Sequence, residues 1–146
     1  MKIKFIDNLT FEIYIKNEII NSINENSKEE LEKFLKELLK KIKYRYNLKI
    51  EGFYSAIAYI DKHYGIIFDV RKEELNYYDY LNGQVDINID IKKKTFLYKV
   101  DYIPHTILNR VKIVNKDSDI FLKINNKLNK KEMMYLTEHT EKILKM

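Results

Sequence analysis

The clearest pattern in the chain lies just after Ser27, where large apolar residues recur every three or four positions. An α-helix, with about 3.6 residues per turn, would place all of them on one face. Ser27 followed by Glu30 is a capping-box pattern, which marks the start of a helix. The pattern therefore predicts an amphipathic helix over about 28–46 whose apolar face covers a sheet. The members of that face are Leu31, Phe34, Leu35, Leu38, Leu39 and Ile42.

Most of the remaining chain alternates polar and apolar residues, which is the period of β-strands. This alternation predicts four hairpins, built from residues 2–16, 48–70, 85–102 and 110–124. The strands of the second hairpin are apolar on nearly both faces, which is typical of strands in the centre of a sheet. The third hairpin is expected to turn at 92–94.

A second helix is predicted near the C-terminal end of the sequence. Asn129, followed three residues later by Glu132, repeats the capping pattern, and a looser apolar stripe follows over about 130–145. The order of elements is hairpin, helix, hairpins, helix. This order predicts an α+β fold with a mostly antiparallel sheet packed by the two helices. At 146 residues, 45% of them hydrophobic, the chain is long enough for one core, so we expect a single domain over 1–146.

The composition narrows the chemistry and the compartment. There is no cysteine, which excludes a disulfide framework, a thiolate zinc site and a cysteine nucleophile. No apolar run approaches the roughly 20 residues that cross a bilayer, and residues 1–6 alternate charged and apolar side chains, unlike a signal peptide. We therefore expect a cytoplasmic protein without membrane insertion.

The net charge of +5 at pH 7 raises the question of an anionic partner such as nucleic acid. The basic residues are nearly all lysines, with Arg45, Arg71 and Arg110 as the only arginines, whereas specific recognition of phosphates and bases favours the arginine fork. A composition rich in Lys, Ile, Asn and Tyr is also what an AT-rich bacterial genome encodes, whatever the function. The positive charge alone is therefore weak support for nucleic-acid binding.

The sequence predicts no catalytic, cofactor-binding or metal-binding set. The three histidines, which lack metal-ligand spacing, are His63, His105 and His139. The row Asp86, Asn88 and Asp90 resembles the opening of a calcium loop, but isoleucine stands where that loop needs glycine. The interleaved isoleucines favour a strand with one solvated face instead. Glycine-rich phosphate loops and nucleophile elbows are also missing from the sequence, so we lean towards a non-enzymatic protein without a cofactor.

Two candidate binding surfaces remain. The first, which we call the tyrosine cluster, consists of Tyr77, Tyr78 and Tyr80, and tyrosine suits protein interfaces because its ring is apolar and its tip polar. The second, which we call the basic patch, combines the C-terminal end of the first helix with the lysine turn at 92–94 and could neutralise phosphates. Its members are Lys40, Lys41, Lys43, Arg45, Lys92, Lys93 and Lys94.

These surfaces lead to two hypotheses of function. The first is a non-enzymatic protein that binds another protein or associates with itself, for example as a homodimer through the tyrosine cluster and the sheet. The second is a nucleic-acid-binding module in which a lysine- and tyrosine-rich sheet face binds single strands, with an affinity that falls steeply as salt rises. The rings expected to stack on bases, if they point outward, are Tyr54, Tyr59, Tyr64 and Tyr98. An enzyme whose site is unreadable from the sequence is a third hypothesis.

Overall fold

A computed structural model describes residues 1–20, 27–73 and 85–146 of the chain. The fold is α+β, as the sequence predicted, and the strands pair in two mostly antiparallel sheets. The contacts group the chain into two units. The first unit comprises Met1–Ile60 and Ile66–Lys92, and the second comprises Asp61–Gly65 and Lys93–Met146. A single domain over 1–146 stays a prediction.

The sheet of the first unit has five strands. In chain order they are β1 (Lys2–Phe5), β2 (Thr10–Lys16), β3 (Gly52–Asp61), β4 (Gly65–Lys72) and β5 (Val85–Lys93). They lie in the sheet in the order β1-β2-β4-β3-β5, so β1 and β5 are its edges. The predicted hairpin of β1 and β2 is confirmed, and its turn is closed by Asp7, whose Oδ1 accepts hydrogen bonds from Leu9 N and Thr10 N, both at 2.8 Å.

Two helices belong to the first unit, a short α1 (Asn17–Ile20) and a long α2 (Lys28–Tyr46). The predicted start of α2 is confirmed, because the Ser27 hydroxyl accepts a hydrogen bond from Glu30 N at 3.3 Å. Phe34 is half-buried, and the rest of the predicted apolar face is fully buried in one core cluster with inward residues of β2, β3, β4 and β5. These buried residues are Leu31, Leu35, Leu38, Leu39 and Ile42.

The sheet of the second unit has four strands. They are β6 (Phe96–Val100), β7 (Val111–Lys116), β8 (Asp119–Ile124) and β9 (Thr140–Lys145). Their order is β7-β8-β6-β9, with antiparallel pairing throughout. The predicted hairpin of β7 and β8 is confirmed, and its turn places Asp117 and Ser118 at φ angles of 50° and 69°. The unit also contains a 3-10 helix (His105–Arg110) and α3 (Lys130–Glu138).

The predicted third hairpin over 85–102 is wrong, because β5 and β6 belong to different sheets. β5 is the neighbour of β3, whereas β6 lies between β8 and β9. Alternation decides which face of a sheet a residue occupies, but it carries no information on which strand lies alongside. Two consecutive alternating runs therefore look like a hairpin even when each pairs elsewhere.

The predicted C-terminal helix over about 130–145 is too long. It begins where expected, with the capping box of Asn129 and Glu132 in place, but it ends at Glu138. The following residues form β9, in which Ile143 lies opposite Tyr98 of β6. Pairing along a whole edge of the sheet outweighs the loose helical stripe that these last residues share with α3.

Candidate binding groove

Of the seven tyrosines that the sequence proposed for binding, three lie outside the described residues, one is half-buried and three are buried. The tyrosine cluster of Tyr77, Tyr78 and Tyr80 lies outside the described residues, so its role in binding stays a prediction. Among the rings expected to stack on bases, Tyr59 is half-buried and three are buried, namely Tyr54, Tyr64 and Tyr98. Those three rings are closed to a ligand. The exposed tyrosines of the described residues are Tyr44, Tyr46 and Tyr102.

The basic patch falls into two parts. On the last turns of α2, Lys43 is half-buried and the exposed members are Lys40, Lys41 and Arg45. The other part is the end of β5, whose last residues are Lys92 and Lys93, together with Lys94, which follows the strand. Lys92 is the last residue of the first unit, and Lys93 and Lys94 belong to the second. Within the described residues none of the seven side chains forms an ion pair. The α2 part is therefore a cationic surface that no acidic side chain of the described chain neutralises.

The histidines and the acidic row occupy separate places. His63 lies in the turn between β3 and β4, His105 begins the 3-10 helix and His139 follows α3. The acidic row lies along β5 with its side chains exposed, while the interleaved Ile87 and Ile89 are buried, as the alternation predicted. The described residues contain no group of three His, Asp or Glu side chains placed to hold a metal ion.

A groove in the second unit is the clearest candidate site. It has a volume of about 710 Å³ and is lined by the 3-10 helix, by the start of α3 and by the segment after β6. Pro104 fixes the direction of the chain just before the 3-10 helix, because its ring locks φ, here −65°. The lining includes Tyr102, Pro104, His105, Ile107, Lys131 and Tyr135.

An ion pair between Arg110 and Glu132 joins the two helical walls of this groove. Arg110 Nη1 donates to Glu132 Oε1 at 2.6 Å, while Nη2 donates to Glu132 Oε2 and, at 2.7 Å, to the carbonyl oxygen of Thr106. Glu132 is buried, and its Oε1 also accepts a hydrogen bond from Asn129 N at 2.9 Å. One carboxylate therefore holds both the guanidinium and the cap of α3. Because this pair is internally neutral, Lys131 supplies the net positive charge of the groove.

Replacing Glu132 by glutamine should lower the free energy of unfolding by about 2 kcal/mol. Breaking a buried ion pair typically destabilises a protein by about 3–5 kcal/mol, and the loss is smaller here because the Arg110 side chain is 28% exposed to water. Urea unfolding followed by circular dichroism measures the difference. The matched control is Glu138→Gln on the exposed side of α3, which should change stability by less than about 0.5 kcal/mol. Equal destabilisation by the two variants would contradict the role given to the pair.

Tyr102 gives the groove a large exposed side chain, because it belongs to the lining and is 57% exposed. Leu108 on the 3-10 helix and Met134 on α3 are also exposed but do not belong to the lining. Tyr135 lies against His139, with ring centroids 4.1 Å apart, which holds the tyrosine ring in place along α3. An exposed aromatic ring on a concave surface is typical of interaction sites.

A second polar cluster of the second unit lies in the turn between β3 and β4. Asp61 is only 4% exposed, and its Oδ1 accepts hydrogen bonds from His63 N at 2.7 Å and Tyr64 N at 2.9 Å. Its Oδ2 accepts a third from Phe96 N at 2.8 Å. The Tyr64 ring packs on Phe96 and Tyr98, with centroids 5.7 and 6.5 Å apart. The carboxylate therefore ties the turn to β6 above a buried aromatic layer.

The titratable groups of this cluster are shifted by burial. Burial raises the pKa of Tyr64 to about 12. Burial, reinforced by the negative charge of Asp61, raises the pKa of Tyr98 further still. Burial also lowers the pKa of His63. His63 Nε2 and the Tyr98 hydroxyl are buried without a hydrogen-bond partner among the described residues. The three hydrogen bonds to Asp61 and the packing of Tyr64 on Phe96 and Tyr98 give this cluster a structural role.

Comparison with known proteins does not indicate a function. No family model, curated protein or solved structure matches the chain. Among the helices of the described residues, none is both long and apolar enough to cross a membrane.

Sequence reasoning missed the groove because its walls come from segments that are separated along the chain. Tyr102 and Ile107 belong to one segment and Lys131 and Tyr135 to another, and no periodicity connects them. One signal could have pointed to it: Arg110 is one of three arginines in a lysine-rich chain. An arginine used so sparingly suits a forked contact with a carboxylate, which is the role it has here.

Proposed function

We propose that the protein is a non-enzymatic module that binds a segment of another protein in the groove of the second unit. The observation that carries the proposal is the 57% exposed ring of Tyr102 on a concave surface whose lining also includes the rings of Pro104 and Tyr135. Tyrosine is enriched at protein interfaces because it provides a large contact area. The groove of about 710 Å³ is large enough for several side chains of a bound segment.

The polar groups of the groove favour recognition over catalysis. Glu132, the carboxylate among the lining residues, is engaged by Arg110 and by the cap of α3, so it is not available as a general base. The other proton-transfer group of the lining, His105, has no hydrogen-bond partner among the described residues that would orient its ring. Lys131 stands exposed at the rim, where it would attract an acidic side chain. The partner that fits best is therefore a segment with apolar or aromatic residues next to an aspartate or glutamate.

Selection of displayed peptides on the wild-type protein, followed by titration of the enriched peptides, tests this proposal. We expect enrichment of peptides that combine an aromatic residue with an acidic one. Tyr102→Ala and Lys131→Glu should each weaken their binding by about tenfold or more, equivalent to about 1.4 kcal/mol. Tyr44→Ala removes an exposed tyrosine from the first unit and is the matched control, for which the affinity should not change. Enriched peptides that bind Tyr102→Ala and Lys131→Glu as well as wild type would reject the groove, and no enrichment would reject the proposal.

A second candidate function, binding of single-stranded nucleic acid, is favoured by the exposed end of α2. Tyr44 is 85% exposed, and Lys40 and Lys41 stand four and three positions before it, on the same side of the helix, without ion pairs among the described residues. An open ring bordered by cations is the arrangement that stacks on bases while neutralising phosphates. The sheet-face tyrosines are mostly buried, so α2 replaces the sheet as the surface on which this function would rest.

Fluorescence anisotropy with a labelled oligothymidine decides the second candidate. Binding should weaken in proportion to a power of the salt concentration, with a slope that reports the number of phosphates neutralised. Tyr44→Ala should weaken binding by a similar factor at every salt concentration, whereas Lys40→Gln with Lys41→Gln should flatten the slope. The same affinity at low and high salt, or no binding at low salt, would remove this candidate.

A further inference from the structure

The positive charge of the chain is concentrated in the second unit. That unit contains 13 lysines and arginines against seven aspartates and glutamates, a net charge of +6, whereas the first unit contains 14 against 15, a net charge of −1. A lysine-rich composition alone would raise the charge of both units alike. The separation of charge between the units is typical of a chain whose basic part has an anionic partner.

The sheet of the second unit places one lysine from each of its four strands in a continuous band. Lys112 of β7 lies directly opposite Lys123 of β8, and Lys99 of β6 lies directly opposite Lys142 of β9. Lys123 is also opposite Leu97, two residues before Lys99, so Lys123 and Lys99 are diagonal neighbours. Residues that lie opposite each other, or two apart on one strand, share a face of the sheet. The four lysines, which we call the lysine band, therefore cross one face of this sheet.

Only one member of the lysine band has an acidic partner among the described residues. Lys99 is half-buried, and its Nζ lies 3.3 Å from a carboxylate oxygen of Asp119 and 4.0 Å from one of Glu141. The other three members are exposed, and none of them forms an ion pair within the described part of the chain. Like charges directly opposite each other on neighbouring strands destabilise a sheet. The pairing of Lys112 with Lys123 therefore does not contribute to the stability of the fold.

The dimensions of the lysine band suit a phosphate backbone. Because neighbouring strands lie about 4.8 Å apart, the band extends over about 14 Å from β7 to β9. One strand of a DNA duplex carries a phosphate every 3.4 Å or so of helix axis, which gives about four phosphates along the band. Lysine binds a phosphate as a point charge, without the directional fork of arginine. The apolar neighbours of the band on this face, Leu97 and Phe121, are buried, so they offer no ring for stacking on a base.

We propose that the lysine band binds the phosphate backbone of double-stranded nucleic acid without reading its sequence. Each lysine that neutralises a phosphate releases a counterion, which favours binding at low salt. Bound phosphates also relieve the repulsion between Lys112 and Lys123. A duplex fits better than a single strand because its charge density is higher and because the band provides no stacking platform. No member of the band lines the groove, and α2 belongs to the other unit, so this site is independent of the two functions proposed above.

Fluorescence anisotropy with a short labelled duplex, titrated at several salt concentrations, tests the proposal first. The logarithm of the wild-type affinity should fall against the logarithm of the salt concentration with a slope of about −3 to −4, as expected for about four neutralised phosphates. Duplexes of different sequence should bind alike. No binding at low salt, an affinity that does not depend on salt, or a strong preference for one sequence would overturn the proposal. Oligothymidine measures the candidate function of α2 separately, so its failure leaves this test intact.

Removal of two lysines then tests where the duplex binds. Lys112→Gln with Lys123→Gln should weaken binding by about tenfold or more at about 0.1 M salt and should flatten the slope by about 2. This variant should fold, because it removes two like charges that face each other, so its midpoint in urea should equal or exceed that of wild type. Lys40→Gln with Lys41→Gln makes the same change in net charge on α2 and should leave the affinity and the slope unchanged. Equal losses in the two variants, or a loss in the α2 variant alone, would overturn the assignment to the lysine band.

Co-sedimentation with vesicles of equal parts phosphatidylserine and phosphatidylcholine distinguishes a nucleic acid from a lipid surface. The duplex should bind more tightly than the vesicles at the same salt concentration, because the buried Leu97 and Phe121 leave no apolar group beside the band to insert into lipid. Vesicle binding that Lys112→Gln with Lys123→Gln abolishes, together with no binding of the duplex, would overturn the proposal and reassign the lysine band to an anionic membrane.

Discussion

Replacing Asp61 by asparagine is expected to lower the free energy of unfolding by about 3 kcal/mol, because hydrogen bonds to a charged acceptor contribute about 1.5–3 kcal/mol each. The two carboxylate oxygens accept from three backbone N–H groups, those of His63, Tyr64 and Phe96. An asparagine keeps one acceptor oxygen, but its amide nitrogen would face either Phe96 N–H or the two turn amides. A donor would then point at a donor in a buried site, which leaves both unsatisfied.

Urea unfolding and hydrogen exchange together check this expectation. The midpoint should fall in urea. The Phe96 amide should exchange faster than in wild type, because the asparagine oxygen is expected to stay with the two turn amides, which leaves Phe96 N–H facing the amide nitrogen. Asp117→Asn is the matched control: it makes the same change in charge at an exposed residue of the second unit, and asparagine tolerates its φ of 50°. If both variants unfold at the wild-type midpoint, the carboxylate of Asp61 does not hold the turn to β6.

The elements that the sequence predicted correctly are those whose determinants are local. The bounds of α2 follow from a cap and a stripe that lie within the helix itself, since Ser27 accepts from Glu30 N and the apolar face spans Leu31 to Ile42. The β7–β8 hairpin is equally local, because its turn is formed by adjacent polar residues. In both cases every interaction needed for the prediction lies within one stretch of chain.

The errors concern choices between distant segments. The alternation in β5 and β6 is compatible with a hairpin, and only the presence of β3 beside one and of β8 and β9 beside the other decides against it. The residues of β9 extend the stripe of α3, yet they gain more by pairing with β6. The hydrophobic period of one segment does not show whether a distant strand will pair with it more favourably than its local preference predicts.

The groove is even harder to predict from the sequence, because its walls come from segments that are far apart along the chain. The groove depends on the ion pair between Arg110 and Glu132, which stand 22 positions apart in the sequence. It also depends on a 3-10 helix that has no apolar stripe from which it could be predicted. Asp61 is a similar case, because its third hydrogen bond comes from Phe96, 35 positions away. The single proline before the 3-10 helix does indicate a change of chain direction. It does not indicate which distant residues contact the segment that follows.

Raising the pH from about 10 to about 12 is expected to destabilise the protein steeply through its buried tyrosines. The pKa of Tyr64 is raised to about 12 by burial, whereas an unfolded tyrosine has a pKa of about 10. Between these values the unfolded state has lost a proton that the folded state still holds, so stability is intact below pH 10 and falls as the pH rises. A shift of about two pKa units corresponds to a loss of about 3 kcal/mol. Tyr98, whose pKa is raised further, adds to this loss.

Tyr98→Phe and Tyr64→Phe separate this effect from the titration of lysines, which all variants share. The Tyr98 hydroxyl has no hydrogen-bond partner among the described residues, so its removal should change stability at pH 7 by less than about 1 kcal/mol. In urea unfolding at about pH 11, each variant should be more stable than wild type, because it has one ionisable buried ring fewer. Tyrosinate absorbance at 295 nm should show the buried rings ionising only as the protein unfolds. If wild type and Tyr98→Phe lose stability in parallel between pH 10 and 12, the phenol of Tyr98 is not kept from ionising by the fold.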